Sequence, residues 1–329
     1  MIKSNNNTKG ESMKKYRIGV DIGGTNIKIA LIDFDGKIIY SATTPTRAEM
    51  GYEAGINNIK QAIKDLMQET NATKDTIEAI GFGLPGQIDY KNGIVKNLPN
   101  IPGWTNVKLA KIIDTEFSIP TRLDNDVRCA ALGELNFGAG KGCENLVCIT
   151  VGTGIGSGIV LNGKLVRGAA NAAGEIGHIK MEMNGGPLCG CGDYGCFEAY
   201  ASGPAIVTMA KEYISGGKSA KYKEMAADGI ITPYLVAQAA LQGDAVSIQI
   251  FKQMGKIIGT GLTSVVNLLN PQKIIIGGGV ADAGDILLDP IRKTIVDRAM
   301  PIQAKSVEIV PAQLANTAGV IGASLLINS

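Results

Sequence analysis

Between residues 174 and 202 the chain reads GEIGHIKMEMNGGPLCGCGDYGCFEAYAS. Three of its six cysteines, Cys189, Cys191 and Cys196, fall in this stretch with its only histidine, His178. Thiolate and imidazole are the ligands that tetrahedral Zn²⁺ prefers, and a Cys₃His set fills the metal's shell without an open position. Gly190, Gly192 and Gly195 relax the backbone between sulfurs that must converge. The expectation is a structural zinc, not one that activates water. The alternative is a glycine-rich surface loop with free thiols. Glu175 and Glu198 flank the cluster. Two carboxylates beside an imidazole suit a ligand with several hydroxyls, because each can accept a hydrogen bond. Spacing alone leaves open that both are solvated loop charges.

Phosphate chemistry is the second theme. Three glycine-rich turns end strands: Gly23-Gly24-Thr25-Asn26, Gly152-Thr153-Gly154 and Gly277-Gly278-Gly279. Bare N–H groups in such turns form anion-binding concavities, and a missing Cβ lets phosphate approach. None is a Walker A sequence or a clean dinucleotide fingerprint, and any one alone would read as a tight hairpin. Asp21, on a strand end before the first turn, is placed to hold Mg²⁺ through water. Phosphoryl transfer asks for a carboxylate near the acceptor hydroxyl, with metal and amides on the phosphoryl oxygens. Asp126, in Leu123-Asp124-Asn125-Asp126, is the candidate base. It sits at a strand-to-helix junction, where its ordinary reading would be a helix cap.

The elements that must position these groups alternate. Residues 16–40 read as a β-meander, with an Asp35-Gly36 turn after the first Gly turn. Residues 146–167 repeat that design, with Asn162-Gly163 in place of the Asp-Gly pair. The same object is built twice, and two such halves would wall a cleft with a Gly turn on each side. Ile56, Ile59, Ile63, Leu66 and Met67 share one helical face. A strand at 77–83, a long connection at 91–104, a helix around 105–118, a strand at 121–123 and a helix from Val127 to Phe137 follow. Ser202-Gly203-Pro204 and Thr232-Pro233 each open a helix. Residues 244–269 form one long helix, and Gly255, Gly259 and Gly261 within it cost propensity, so close helix packing is expected there. A buried strand at Lys273–Ile276, a helix, a strand at 306–310 and a helix from about 317 complete an α/β chain.

With 329 residues the chain can bury one large core or two ordinary ones. Its net charge of +2 and lack of a Lys/Arg run call for neither nucleic acid nor an anionic membrane. Residues 1–15 read as a disordered leader, since MIKSNNNTKGESM lacks the apolar segment of a signal peptide. The apolar tail, Gly319 to Ile327, is too short to span a bilayer. Thiols kept for metal fit a reducing compartment, hence the cytoplasm.

Taken together, these motifs resemble the ROK family (repressor, open reading frame, kinase) of sugar kinases, from about Tyr16 to the C-terminus. Asp21-Ile22-Gly23-Gly24-Thr25 looks like its first phosphate loop, Gly152-Thr153-Gly154 its second, and Gly277-Gly278-Gly279 its adenosine-side turn. Gly174-Glu175-Ile176-Gly177-His178 and the Cys189, Cys191, Cys196 run match its signature and zinc site. The resemblance implies a two-domain α/β fold of the actin/hexokinase-like (ribonuclease H-like) ATPases, with the site in the interdomain cleft. Residues 16–122 plus 312–329 would be the small domain and 123–311 the large one. It implies sugar contacts by Asn100, Asn125, Asp126, Glu175, His178 and Glu198, with Asp126 as base for the 6-hydroxyl. Asp21, Gly23, Gly24, Thr25, Asn26 and Lys28 would meet the nucleotide with the other two turns. Structural Zn²⁺, Mg²⁺ with ATP, and a homodimer or homotetramer are further implications. The Glu175, His178 and Glu198 set looks most like the glucose-phosphorylating branch; N-acetylmannosamine, fructose, allose and N-acetylglucosamine are the alternatives. A sugar-sensing repressor is a rival reading, weakened by the roughly fifteen polar residues before the first strand, too few for a helix-turn-helix. A zinc-braced module that binds sugar without transferring phosphate is another.

Overall fold

A computed structural model describes residues 14–99, 101–218, 220–226 and 228–329; residues 1–13 of the leader expected at 1–15, and Asn100, lie outside them. Two compact units are present. One holds the chain up to Asp124 together with Ala323–Asn328, and the other holds Asn125 to Gly322 with Ser329.

The first unit opens with β1 (Tyr16–Ile22), β2 (Asn26–Asp33) and β3 (Ile38–Pro45). Then come α1 (Gly51–Thr70), β4 (Ile77–Leu84), β5 (Gln87–Asp89), β6 (Ile94–Asn97), β7 (Thr105–Val107), α2 (Leu109–Phe117) and β8 (Thr121–Asn125). Its main sheet has the order β3-β2-β1-β4-β8, with β1 antiparallel to β2 and parallel to β4. Helix α1 buries Ile56, Ile59, Ile63 and Leu66, with Met67 packed beside them, on the face the spacing marks. Asn71 ends it in the left-handed region, φ 52°, where asparagine is tolerated. Lys15 is tied in as well, its N–H donating to Thr76 O at 2.9 Å, so the sheet unit reaches back before Tyr16.

The second unit contains α3 (Asp126–Phe137), β9 (Leu146–Val151), β10 (Ile155–Leu161), β11 (Lys164–Leu165), α4 (Phe197–Ala201), α5 (Gly203–Ser215) and α6 (Lys221–Met225). It continues with α7 (Pro233–Leu241), α8 (Ala245–Leu269), β12 (Lys273–Gly277), α9 (Asp285–Arg298), α10 (Pro301–Ser306), β13 (Glu308–Pro311) and most of α11 (Ala318–Ser324), whose last two residues count with the first unit. Its sheet order is β11-β10-β9-β12-β13. The antiparallel triplet β9-β10-β11 is extended by β12 parallel to β9 and β13 parallel to β12. In strand order this is the plan of the first sheet, a hairpin meander with two further strands beside its first strand, so the duplication read from the two Gly-turn hairpins extends to the strands added beside them.

The α8 glycines lie where backbones meet. A Cβ on Gly255 would come within 2.6 Å of Leu287 O, and one on Gly259 within 2.6 Å of Thr294 Cβ, both on α9. Gly261 faces the ring of Phe197, whose nearest atoms would be 2.8 Å away. The helix needs these gaps to let α9 and Phe197 reach it, which offsets the lost propensity. Three local expectations move. The connection at 91–104 contains β6 and is part of a small sheet, β5-β6-β7. The helix expected from 105 starts at Leu109, because Thr105–Val107 pairs as β7. Strand β8 runs on to Asn125, so α3 begins at Asp126 itself. No helix among the described residues is long and apolar enough to cross a membrane.

Candidate active site and metal centre

Asp126 is the first residue of α3, and the cap before it is Asn125. Asn125 Oδ1 accepts from the N–H of Val127 at 3.0 Å and of Arg128 at 3.3 Å. Capping is therefore done by the neighbour. The Asp126 carboxylate also bonds locally, Oδ1 accepting from Val127 N at 2.9 Å. Burial pushes its pKa up from the ordinary carboxylate range; backbone and Asn125 hydrogen bonds pull the other way, and the charge of Glu175 adds to the rise. A carboxylate in this condition is a better proton acceptor than a solvated one.

Glu175 comes from the 168–178 segment, which is fastened to α3 by Arg128. This guanidinium is buried and donates to Asn171 O at 3.0 Å and Ala173 O at 2.7 Å. Gly174 turns the chain at φ 96°, and its carbonyl accepts from the Ser157 hydroxyl on β10. A short 3₁₀ turn, Ile176–His178, then aims the segment at the cysteine loop. Spacing gave no sign of Arg128; it follows the DND run on a helix with no apolar stripe to set it apart.

The cysteine loop is a small hairpin. Lys180 bridges Cys196 and Leu188 bridges Tyr194. Gly192 and Gly195 adopt φ 89° and 70°, conformations that Cβ-bearing residues avoid. The ligand atoms of His178, Cys189, Cys191 and Cys196 lie within 4.8 Å of one another, a set that could hold a metal ion. His178 Nδ1 is 3.7 Å from Cys189 Sγ, and Cys191 Sγ is 3.7 Å from Cys196 Sγ. Burial pushes the Cys189 thiol up to about 12, while the N–H of Asp193 holds Cys191 below the ordinary thiol range. Lys180 Nζ stands 3.1 Å from Cys196 Sγ and 2.7 Å from Asp193 Oδ2, placing positive charge beside a sulfur. Phe197, fully buried, anchors the loop's exit, and Glu198 follows it. Glu198 Oε2 accepts from Ile155 N at 2.8 Å, and Oε1 is 3.6 Å from Cys189 Sγ.

The Gly turns are not equivalent. In the first unit, Gly23 N donates to Asn26 O at 2.8 Å, and Thr46, buried, clamps the turn by donating Oγ1–H to Gly23 O at 2.7 Å. Gly24, Thr25 and Asn26 are exposed, and Asp21 faces Lys28 across the β1–β2 register. In the second unit a cavity of about 430 Å³ joins Gly152 and Thr153 to Gly279, Val280 and Asp282, and to the starts of α5 and α7 at Pro204, Pro233 and Tyr234. Gly152 and Gly279 have open space where a Cβ would stand. Gly278 does not: a Cβ there would meet Val151 O at 2.4 Å. Both helices have a proline at their start, which carries no N–H, and the amides of Gly203 and Leu235 are already taken up by Gly152 O at 2.7 Å and Thr232 Oγ1 at 3.2 Å, so the helix starts offer the cavity apolar ring edges. Pro204, Pro233, Tyr234 and Asp282 were absent from the sequence reading of the site. The Ser-Gly-Pro and Thr-Pro helix starts were their only signal.

A meander extended by two more strands, built twice with a Gly turn in each hairpin, is the architecture of the actin/hexokinase-like ATPases. Residues 17–329 match the ROK family, and the chain belongs to that family. A glucokinase of Halalkalibacterium halodurans is 38% identical over 317 residues, 95% of each chain. The solved ROK family glucokinase of Streptomyces griseus, in complex with glucose and AMPPNP, superposes with a TM-score of 0.80 at 36% identity, covering 94% of this chain and 98% of that one. A xylose repressor of Caldicellulosiruptor bescii is 31% identical over 312 residues, 95% of this chain and 78% of the repressor.

Proposed function

We propose that the protein is an ATP-dependent hexose kinase whose sugar is glucose, with Asp126 as the general base. The observation that carries this reading is the placement of Asp126: capping is left to Asn125, its pKa is raised, and Glu175 stands nearby. Asp126 takes the proton of the 6-hydroxyl as that oxygen attacks the γ-phosphate. Asn125, Glu175, His178 and Glu198, with Asn100, meet the other hydroxyls. Gly152, Thr153 and the Gly277–Gly279 turn receive the nucleotide, with the adenosine against Pro233 and Tyr234. Asp21, Lys28 and the Gly23–Asn26 turn form the phosphate-binding element of the first unit, and Mg²⁺ enters with ATP to neutralise phosphate charge. Identity of 36–38% to glucokinases over nearly the whole chain supports glucose.

Zinc is the metal we assign to the Cys₃His set. A tetrahedron with Zn–S bonds of about 2.3 Å has sulfur–sulfur edges of about 3.8 Å. The Cys191–Cys196 separation of 3.7 Å fits that edge. With all four ligands from protein, its role is to hold the loop rigid. His178, whose Nδ1 lies 3.7 Å from Cys189 Sγ, would ligate the metal through Nδ1, which would leave Nε2 for the sugar. A homodimer or homotetramer working in the cytoplasm completes the proposal.

A coupled ADP-release assay over glucose, N-acetylmannosamine, N-acetylglucosamine, fructose, mannose and allose tests it. Glucose should give the highest kcat/KM, and sugar-independent ADP release alone would sink the reading. The xylose-repressor likeness favours a second reading, a sugar-responsive regulator. Sugar binding with no turnover on any of the six would favour it.

A further inference from the structure

We propose that Glu198 is a positioning residue for the nucleotide's second glycine turn as well as a contact for the sugar, so that one carboxylate spans both substrates. The inference rests on the kinase reading above. Its two oxygens have different partners. Oε2 accepts the Ile155 N–H at 2.8 Å, the first amide after the Gly152–Gly154 turn. Oε1 lies on the side of the cysteine loop, 3.6 Å from Cys189 Sγ.

Gly154 provides an independent observation. A Cβ at this position would fall 2.2 Å from Glu198 Oε2 and 2.9 Å from its Cδ. The third residue of the turn is bare because a carboxylate fills the space beside it. Gly152, at the other end of the turn, has nothing within 4 Å of its missing Cβ. The turn thus has an open end for a ligand and a closed end held by protein. It is cross-braced by Gly152 N donating to Gly154 O at 2.9 Å, and tied to α5 by Gly203 N donating to Gly152 O at 2.7 Å.

The base of Glu198 is fixed from the core. Phe197, the residue before it, is fully buried with its ring on Gly261 of α8, and its N–H donates to Ile179 O at 2.8 Å. The other side of Ile155 is gripped too, because a Cβ on Gly177 would come within 2.4 Å of Ile155 O. The peptide groups of Ile155 therefore meet both segments that carry sugar-facing groups, one through Glu198 and one between Glu175 and His178. A sugar hydroxyl at Oε1 and the turn's amide at Oε2 draw on the same carboxylate. Binding at either end is then linked to order at the other, and such linkage is reciprocal.

The test is AMPPNP affinity of the zinc-loaded protein, measured by calorimetry with no sugar present. Glu198→Ala removes the acceptor from a charge-assisted hydrogen bond and should weaken AMPPNP about tenfold. Glu198→Gln keeps a carbonyl for the Ile155 N–H and should stay within about threefold of wild type. Gly154→Ala, which has no sugar to touch, should reproduce the loss; if it fails to fold, the Glu198 pair decides alone. Glu175→Ala, which leaves the Ile155 amide paired, should lose glucose affinity without that nucleotide loss. Wild-type AMPPNP affinity in Glu198→Ala overturns the inference, and so does an equal loss in the alanine and glutamine variants. Absence of AMPPNP binding by wild type would instead overturn the kinase reading itself.

Discussion

Asp126→Asn is the most discriminating substitution, because the structure separates its chemical cost from its structural one. The asparagine keeps the shape of the side chain, and its amide oxygen can still accept the Val127 N–H that Asp126 Oδ1 accepts at 2.9 Å. Asn125 continues to cap α3. The loss is then confined to proton acceptance, worth about 10²–10⁴ in kcat, or about 2.7–5.4 kcal/mol of barrier. Sugar and nucleotide affinities should change little. Stability should move the other way. Burial and Glu175 raise the pKa of Asp126, so the folded state holds its proton more tightly than the unfolded one. Its contribution is fully present in acid and is lost as pH rises through the raised pKa, where the folded protein must ionise a buried group. Asp126→Asn should therefore melt higher than wild type at neutral pH, with the gap closing as pH falls into the ordinary carboxylate range. The acid limb of kcat/KM in wild type should lie above that range, since only the ionised carboxylate accepts a proton. Stopped-flow ADP release, glucose calorimetry and thermal melts over a pH series read all three quantities. A variant with kcat within tenfold of wild type, correctly folded and saturated with glucose, would refute the assignment.

Three further expectations concern the frame. Purified protein should contain one zinc per chain, reduced in Cys191→Ala, and chelation should lower both Tm and glucose affinity; unchanged melting after complete metal removal would show that the loop needs no metal. Gly152→Ala should cost less than about 0.5 kcal/mol of stability, because open space faces that position, yet weaken AMPPNP. Gly278→Ala, at φ 85° and against Val151 O, should instead cost more than about 2 kcal/mol in denaturant melts, and the reverse ranking would mean the open and closed positions are misassigned. Arg128→Met should leave the Asn171 and Ala173 carbonyls without their donor, cost about 2–4 kcal/mol, and raise the KM for glucose more than it lowers kcat. A pure kcat effect would argue against a role in holding the Glu175 segment.

The duplicated hairpins were legible in the sequence because their signals are local: alternating apolar residues, an Asp-Gly or Asn-Gly turn, and a Gly turn repeated at the same place. The Cys₃His cluster was legible because few other uses exist for three thiols and the only imidazole within one loop. The purposes of individual glycines were not. Gly152 and Gly154 read alike, and only the placement of Glu198, more than forty residues on, makes one open and the other closed. Strand β6 was hidden in a connection rich in Asn, Gly and Pro, and β5 and β7 at its two ends went unread with it, because pieces of three or four residues are too short to show alternation. Arg128 was silent for a different reason: its partners are backbone carbonyls, which carry no residue identity for a sequence to display.

The six cysteines differ in exposure. Cys129, Cys148, Cys189 and Cys196 are buried, Cys143 is half-buried, and Cys191 alone is exposed. A thiol-selective dye added to native protein should therefore mark the cysteine loop first, without engineered labels. Because coordination would shield that sulfur, the labelling rate becomes a gauge of how much of a preparation carries its ion.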